Sequence, residues 1–264
     1  MKLARFVLPD GRRMTGRLVA DDQAQPLVGE LFGELTFSEQ TVSVSRLLPP
    51  VDPPNILAIG RNYRAHAAET GSALPDKPLF FLKATTALIG HEESIALPAS
   101  APNEVDWEAE LAIVIGRRAR KVSTEEALDF VLGYTCANDV SARDCQRVDK
   151  QWARAKSFDT FCPLGPWLVT ADQLDPDCLR IRSRLNGQTM QDANTSAMVH
   201  SCRQLVSYLS HQLTLLPGTV ILTGTPEGVG MARRPPVFLK PNDVVEVEIE
   251  GIGVLRNAVS AEAR

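Results

Sequence analysis

The 264-residue chain lacks several features at once, and each absence removes a class of function. No stretch approaches the roughly 18 to 20 continuous apolar residues of a membrane span, and the opening MKLARFVLPDG has no signal-peptide hydrophobic core. There is no long basic run, and the formal net charge is -4, which argues against a nucleic-acid or anionic-membrane surface. The five cysteines (Cys136, Cys145, Cys162, Cys178, Cys202) form no CxxC pair and are too sparse for a disulfide framework. Internal repeats and low-complexity tracts are absent too. What these gaps leave is a soluble, cytoplasmic protein in a reducing compartment that works on small molecules, with neither nucleic acid nor membrane as a partner.

With 44% hydrophobic residues the chain can bury a proper core. Residues 1–48 alternate short strand-like pieces with polar turns, which suggests a small β-rich N-terminal domain. Four prolines follow between Pro49 and Pro54, so residues 49–54 read as a linker and 55–264 as the main domain. Beyond it the sequence predicts a strand over 56–60, a short helix over 61–71 capped by Asn62 and ended by Gly71, and a strand over 79–83. Ser123 and Glu126 predict a capping box opening a helix through Phe130, and Asn186-Gly187 a hairpin turn. Cys202, Leu205, Val206, Leu209 and Leu213 recur at helical spacing, and 244–249 alternates as a strand. No regular βαβ alternation appears, so a mixed or antiparallel sheet is expected.

The stretch DWEAELAIVIG (106–116) places two glutamates at the start of a β-branched, apolar run. On a strand, Glu108 and Glu110 share a face, where two carboxylates repel and lose hydration unless a cation compensates. A third acid, Asp139, lies in GYTCANDVSARDCQ (133–146). Three converging carboxylates would suit a hard cation such as Mg2+, Mn2+ or Ca2+, with positions left for water and substrate. The same residues fit surface glutamates at a strand edge and a turn-capping aspartate equally well. His66 and Glu69, three apart on the short helix, can meet as a pair in which the carboxylate raises imidazole basicity; chance helix-surface pairs have the same spacing.

Five blocks, GRNYRAHAAE (60–69), DWEAELAIVIGRR (106–118), GYTCANDVSARDCQ (133–146), AKSFDTFCPLGP (155–166) and ILTGTPEGVG (221–230), together resemble the fumarylacetoacetate hydrolase family over about residues 55–258. The resemblance implies an α+β, β-dominated fold: a mixed β-sandwich roll of the family's C-terminal type behind a small N-terminal β-rich domain. It implies Glu108, Glu110 and Asp139 as ligands of Mg2+ or Mn2+ (or Ca2+) and His66 with Glu69 as a water-activating pair on a lid. It further implies Lys156 as the cation facing a developing oxyanion, Arg143, Gln146 and Thr225 as substrate-binding residues, and a homodimer as the assembly. The sequence FLKA (81–84) departs from the proline that many relatives carry after the lysine.

A 2-oxo acid substrate follows from this resemblance, and the site permits several outcomes. The first expectation is hydrolysis of a carbon–carbon bond in an acylpyruvate or fumarylacetoacetate-like 2,4-dioxo acid, with pyruvate enolate as leaving group. Decarboxylation of an oxaloacetate-like acid, or isomerisation of a 2-hydroxyhepta-2,4-diene-1,7-dioate type dienol, would use the same enolate. A non-catalytic metal-binding protein on the same fold is the alternative of a different class.

Overall fold

Apolar runs rich in β-branched residues fix the strands that carry the site. The computed structural model describes residues 1–262, in which strands dominate. In chain order, β1 (Lys2–Val7), β2 (Arg13–Ala20) and β3 (Gln23–Val28) come first, then β4 (Ile56–Gly60), the short helix α1 (Arg64–Glu69) and β5 (Leu79–Lys83). β6 (Ala109–Ile115), β7 (Val131–Asn138), α2 (Arg143–Asp149), α3 (Ala153–Lys156) and β8 (Cys162–Thr170) follow. The last group is β9 (Arg180–Leu185), β10 (Gln188–Asn194), α4 (Cys202–Gln212), β11 (Val220–Leu222), β12 (Val244–Ile249) and β13 (Gly253–Ala261).

Among the described residues, nine strands of a 13-stranded sheet run β3-β2-β1-β8-β7-β6-β11-β4-β5, antiparallel at each of these junctions except the parallel pair β11 and β4. A five-stranded sheet holds β13-β12-β9-β10, with the short strand Ile95–Leu97 parallel along β13. β6 is buried at every position, and its side chains alternate between two cores. Ala112 and Val114 join one apolar cluster, while Leu111, Ile113 and Ile115 join the other with Leu205, Val206 and Leu209 of α4. β4 divides in the same way, Ile56 and Ala58 to one side and Leu57 and Ile59 to the other. Strands buried on both faces need continuous apolar sequence, which is what ILAIG and LAIVI supply. No helix among the described residues is long and apolar enough to cross a membrane.

The N-terminal strands enclose a small cluster of Ala4, Phe6, Leu8 and Ala24. β1 also pairs with β8, Leu3 opposite Leu168, so the two regions share one sheet. The proline-rich stretch packs down on it, with Val51 inside the larger core.

Two local expectations need correction. Asn62 does not cap α1: the helix begins at Arg64 and its first residue receives no side-chain cap. Asn62 is buried instead, its Nδ2 donating to Thr223 O at 2.7 Å and His200 O at 3.0 Å while Oδ1 accepts from His200 N at 2.9 Å. These distant backbone partners outcompete the local one. Ser123 and Glu126 do bond to each other, but the segment they precede is a single tight 3-10 turn, Ala127–Phe130. The reciprocal capping box lies at Ser201 and Gln204, opening α4. The Asn186-Gly187 hairpin forms as expected, with φ of 51° and 81° joining β9 to β10.

Gly133 sits where β7 meets β8, and a Cβ there would lie 2.1 Å from Val169 O, which is backbone and cannot swing aside. Gly133→Ala should cost roughly 1–3 kcal/mol and lower the melting temperature by several degrees, about 2–4 °C per kcal/mol. Thermal denaturation followed by circular dichroism checks this; an unchanged melting point would contradict the β7–β8 register.

Candidate active site

The register of β6 on β7 brings the acids together. Glu108 immediately precedes β6 and Glu110 lies on it opposite Ala137, while Asp139 immediately follows β7. The pairing continues past the strand ends: Asp139 N donates to Glu108 O at 2.9 Å, and Glu108 N donates to Asn138 Oδ1 at 2.9 Å. One carboxylate oxygen from each of Glu108, Glu110 and Asp139 lies within 4.8 Å of the others, and all three residues are buried.

Such a cluster needs positive charge, and the chain supplies part of it. Lys156 Nζ donates to Glu108 Oε2 at 2.7 Å and to Asp139 Oδ2 at 2.8 Å. Arg143 Nη1 reaches Glu108 Oε1 at 2.7 Å, and Lys83 Nζ bonds Asp139 and, at 2.9 Å, Phe161 O. Burial works to raise the Glu108 carboxyl, but Lys156 and Arg143 outweigh it and hold it at about 2. Glu110 goes the other way. Burial, then the negative charges of Asp139 and Glu108, push its carboxyl well above the usual range, and the one hydrogen bond it accepts among the described residues is from Gly224 N at 2.6 Å. Burial opposes the charge of Lys156 as well, but Asp139 and Glu108 raise its pKa above the ordinary lysine value, so it stays an ammonium. An oxygen-only set with one uncompensated carboxylate fits a hard divalent cation such as Mg2+ or Mn2+.

The helix α1 brings the second group. His66 Nδ1 lies 2.8 Å from Glu69 Oε1, and Glu69 Oε2 accepts from Gly228 N at 2.9 Å. With Nδ1–H donated to the carboxylate, Nε2 carries the free lone pair, which is the tautomer a general base requires. Residues 224–230 join both groups: Gly224 donates to Glu110 as above, and Thr225 Oγ1 donates to Ala109 O at 2.9 Å between the two glutamates. Gly228, with φ of +100°, has no room for a side chain, since a Cβ would meet Met190 O at 2.3 Å.

A cavity of about 220 Å³ opens on this arrangement, and His66, Glu108, Asp139, Arg143, Gln146, Lys156 and Thr225 line it. Lys156 stands between two carboxylates of the cluster. Arg143 gives Nε to Asp106 Oδ2 at 2.9 Å and Nη1 to Gln146 Oε1 at 3.0 Å as well as to Glu108. Its Nη2 lies 2.9 Å from Asp106 Oδ2 but at an angle that makes no hydrogen bond, which leaves it a buried donor without a hydrogen-bond partner.

Sequence reasoning missed three buried supports. Asp106, fully buried, holds Arg143 and accepts from Gly230 N at 2.7 Å and Met231 N at 3.0 Å. Gln191, arriving from β10, accepts from Ala109 N at 3.0 Å and donates to Thr225 Oγ1 and Pro226 O, each at 2.8 Å. Lys83 ends an apolar strand, and that position was the one available signal for its burial.

The model of the fumarylacetoacetate hydrolase C-terminal domain matches residues 55–260. The chain belongs to the fumarylacetoacetate hydrolase family. An oxaloacetate tautomerase of Xenopus laevis is 48% identical over 82% of this chain and 69% of its own. The solved 5-carboxymethyl-2-hydroxymuconate delta-isomerase of Mycobacterium smegmatis is 44% identical, with a TM-score of 0.89 over 99% of this chain and all of its own. A fumarylacetoacetate hydrolase of Exiguobacterium antarcticum is 37% identical, with a TM-score of 0.90 over 99% of this chain and 100% of that one. The β-dominated roll expected from the sequence is therefore the family fold. Family membership makes the chain one of a group of enzymes, and the tautomerase and the isomerase are more similar to it in sequence than the hydrolase is.

In the metal-free protein, the stability that Glu110 contributes is fully present below the ordinary carboxyl range and is lost as pH rises through its raised folded-state value. Glu110→Gln removes that loss. Metal-free Glu110→Gln should therefore melt at or above the wild-type temperature at pH 7, while Mg2+ or Mn2+ stabilises the wild type and not the variant. Thermal melts with and without metal check both signs; equal metal stabilisation of the two proteins would contradict the ligand role of Glu110.

Proposed function

We propose that this protein moves a proton between C3 and the 2-oxygen of a 2-oxo dicarboxylic acid, as a tautomerase or isomerase of the oxo and enol forms. Carbon–carbon hydrolysis, the first expectation from sequence, gives way to this reading because the acids named for the more similar relatives undergo proton shifts. The observation that supports it most is His66, paired with Glu69, on the wall of the cavity that Glu108, Asp139 and Lys156 also line.

Glu108, Glu110 and Asp139 would hold Mg2+ or Mn2+, which when bound supplies Lewis acidity at the 2-oxo group. His66 Nε2 takes a proton from C3, and Glu69 stabilises the imidazolium that results. The Lys156 ammonium and the Arg143 guanidinium, both on the cavity wall, offset the negative charge that develops on the 2-oxygen and the adjacent carboxylate. The imidazolium returns the proton to oxygen, giving the enol, and the reverse sequence gives the oxo acid. Thr225 and Gln146 complete the binding wall.

Hydrolysis of an acylpyruvate is the second reading, favoured by the same His–Glu pair acting on water and by the hydrolase among the solved neighbours. Enol-oxaloacetate diluted into buffer has an ultraviolet absorbance that decays as the oxo form appears. The protein should accelerate that decay with Mg2+ or Mn2+ and not with chelator, and His66→Ala should slow the catalysed rate by about 10² to 10⁴. Conversion of acetylpyruvate to pyruvate and acetate with no acceleration of enol decay would replace tautomerisation by hydrolysis.

A further inference from the structure

Four cations of the arginine and lysine type line the cavity, and three of them are matched by carboxylates. Lys156 is held by Glu108 and Asp139, Arg143 by Asp106 and Glu108, and Arg147 by Glu104 through two contacts of 2.6 and 2.9 Å. The fourth, Arg61, makes no ion pair with an acid among the described residues. Its guanidinium lies 5.6 Å from the ring centroid of Trp152, which in turn meets Phe81 edge-on at 5.3 Å. That wall is tightly built: a Cβ on Gly60 would come within 2.3 Å of the Trp152 ring.

Arg61 also has a backbone φ of 59°, in the left-handed region that non-glycine residues seldom occupy. Such strain persists where surrounding structure imposes it, and it concentrates at ligand sites. A planar guanidinium stacked on an aromatic face, partly buried and unmatched by charge, has the geometry to take a carboxylate with two parallel hydrogen bonds.

We infer that Arg61 reads the distal carboxylate of the substrate and sets a preference for dicarboxylic over monocarboxylic 2-oxo acids. The inference rests on the proton-transfer reading above and adds the residue that selects the second carboxylate. The 2-oxo acid end faces the carboxylate cluster, Lys156 and Arg143, while the second carboxylate lies against Arg61 and Trp152. Arg61 is then a specificity residue, and the residues that move the proton are unchanged.

Malate and 2-hydroxybutanoate, which differ by a distal carboxylate in place of a methyl, give a matched pair of unreactive probes. Titration calorimetry with Mg2+-loaded protein should show the wild type binding malate about ten- to a hundredfold more tightly. Arg61→Gln should bring that ratio close to one, and Arg61→Lys should leave it intermediate. Arg61→Gly, which suits the left-handed backbone, should match Arg61→Gln and guards against loss by misfolding. Steady-state kinetics on enol-oxaloacetate should show the variants' loss chiefly in KM. A wild type that does not distinguish the two acids, or an Arg61→Gln ratio equal to wild type, overturns the inference and leaves Arg61 as a prop for Trp152. Failure of the wild type to accelerate enol decay is the separate result that removes the proton-transfer reading itself.

Discussion

Mutual repulsion among three buried carboxylates is the constraint on which the rest of the site depends. Strand pairing forces it: β6 on β7 leaves Glu108, Glu110 and Asp139 nowhere to go but toward one another. The chain answers with Lys156, Arg143 and Lys83, each itself buried and therefore tolerable only because it is paired. Asp106 then serves to hold Arg143 rather than to join the cluster. Glu110 remains the acid that no side-chain cation pairs with directly among the described residues, and a divalent ion is the compensation its surroundings fit.

A second level of organisation is the loop 224–230, which ties the carboxylate cluster to the general base. Its Gly224 amide holds Glu110, its Gly228 amide holds Glu69, and Thr225 bonds the backbone between the two glutamates. α1 spans Arg64–Glu69, too short to be stable as an isolated helix. It is held by tertiary partners: the Asn62 contacts at its start and the Glu69–Gly228 bond at its end. The orientation of the His66 ring and the seating of its helix thus share one carboxylate, so a change in the loop reaches the base without touching it.

Much of this was legible in the sequence where one physical period governs it. LAIVI and ILAIG announce strands, the two-residue spacing of Glu108 and Glu110 puts them on one face, and Asn186-Gly187 calls for a hairpin. Asp139 could be offered as a third acid from its motif, but the family resemblance is what implied it as a ligand with the glutamates, because register between strands is not written in either strand alone. Asp106 and Gln191 were invisible, and Lys83 nearly so, for a related reason. A lysine is ordinarily solvated, and an aspartate or glutamine declares its role only through partners distant in sequence, such as Gly230 for Asp106 and Thr225 for Gln191. Asn62 misled because a helix-capping residue and a buried backbone clamp look alike until the chain folds.

The central claim is that one cavity wall removes and returns a proton at C3 of a 2-oxo diacid. Its most direct test is nuclear magnetic resonance of oxaloacetate in D2O, comparing protein with Mg2+, protein with chelator, and buffer. The account predicts metal-dependent deuterium incorporation at C3 above the spontaneous rate, with one of the two C3 positions exchanged preferentially. Exchange no faster than in buffer, with the metal-loaded protein intact, would contradict it.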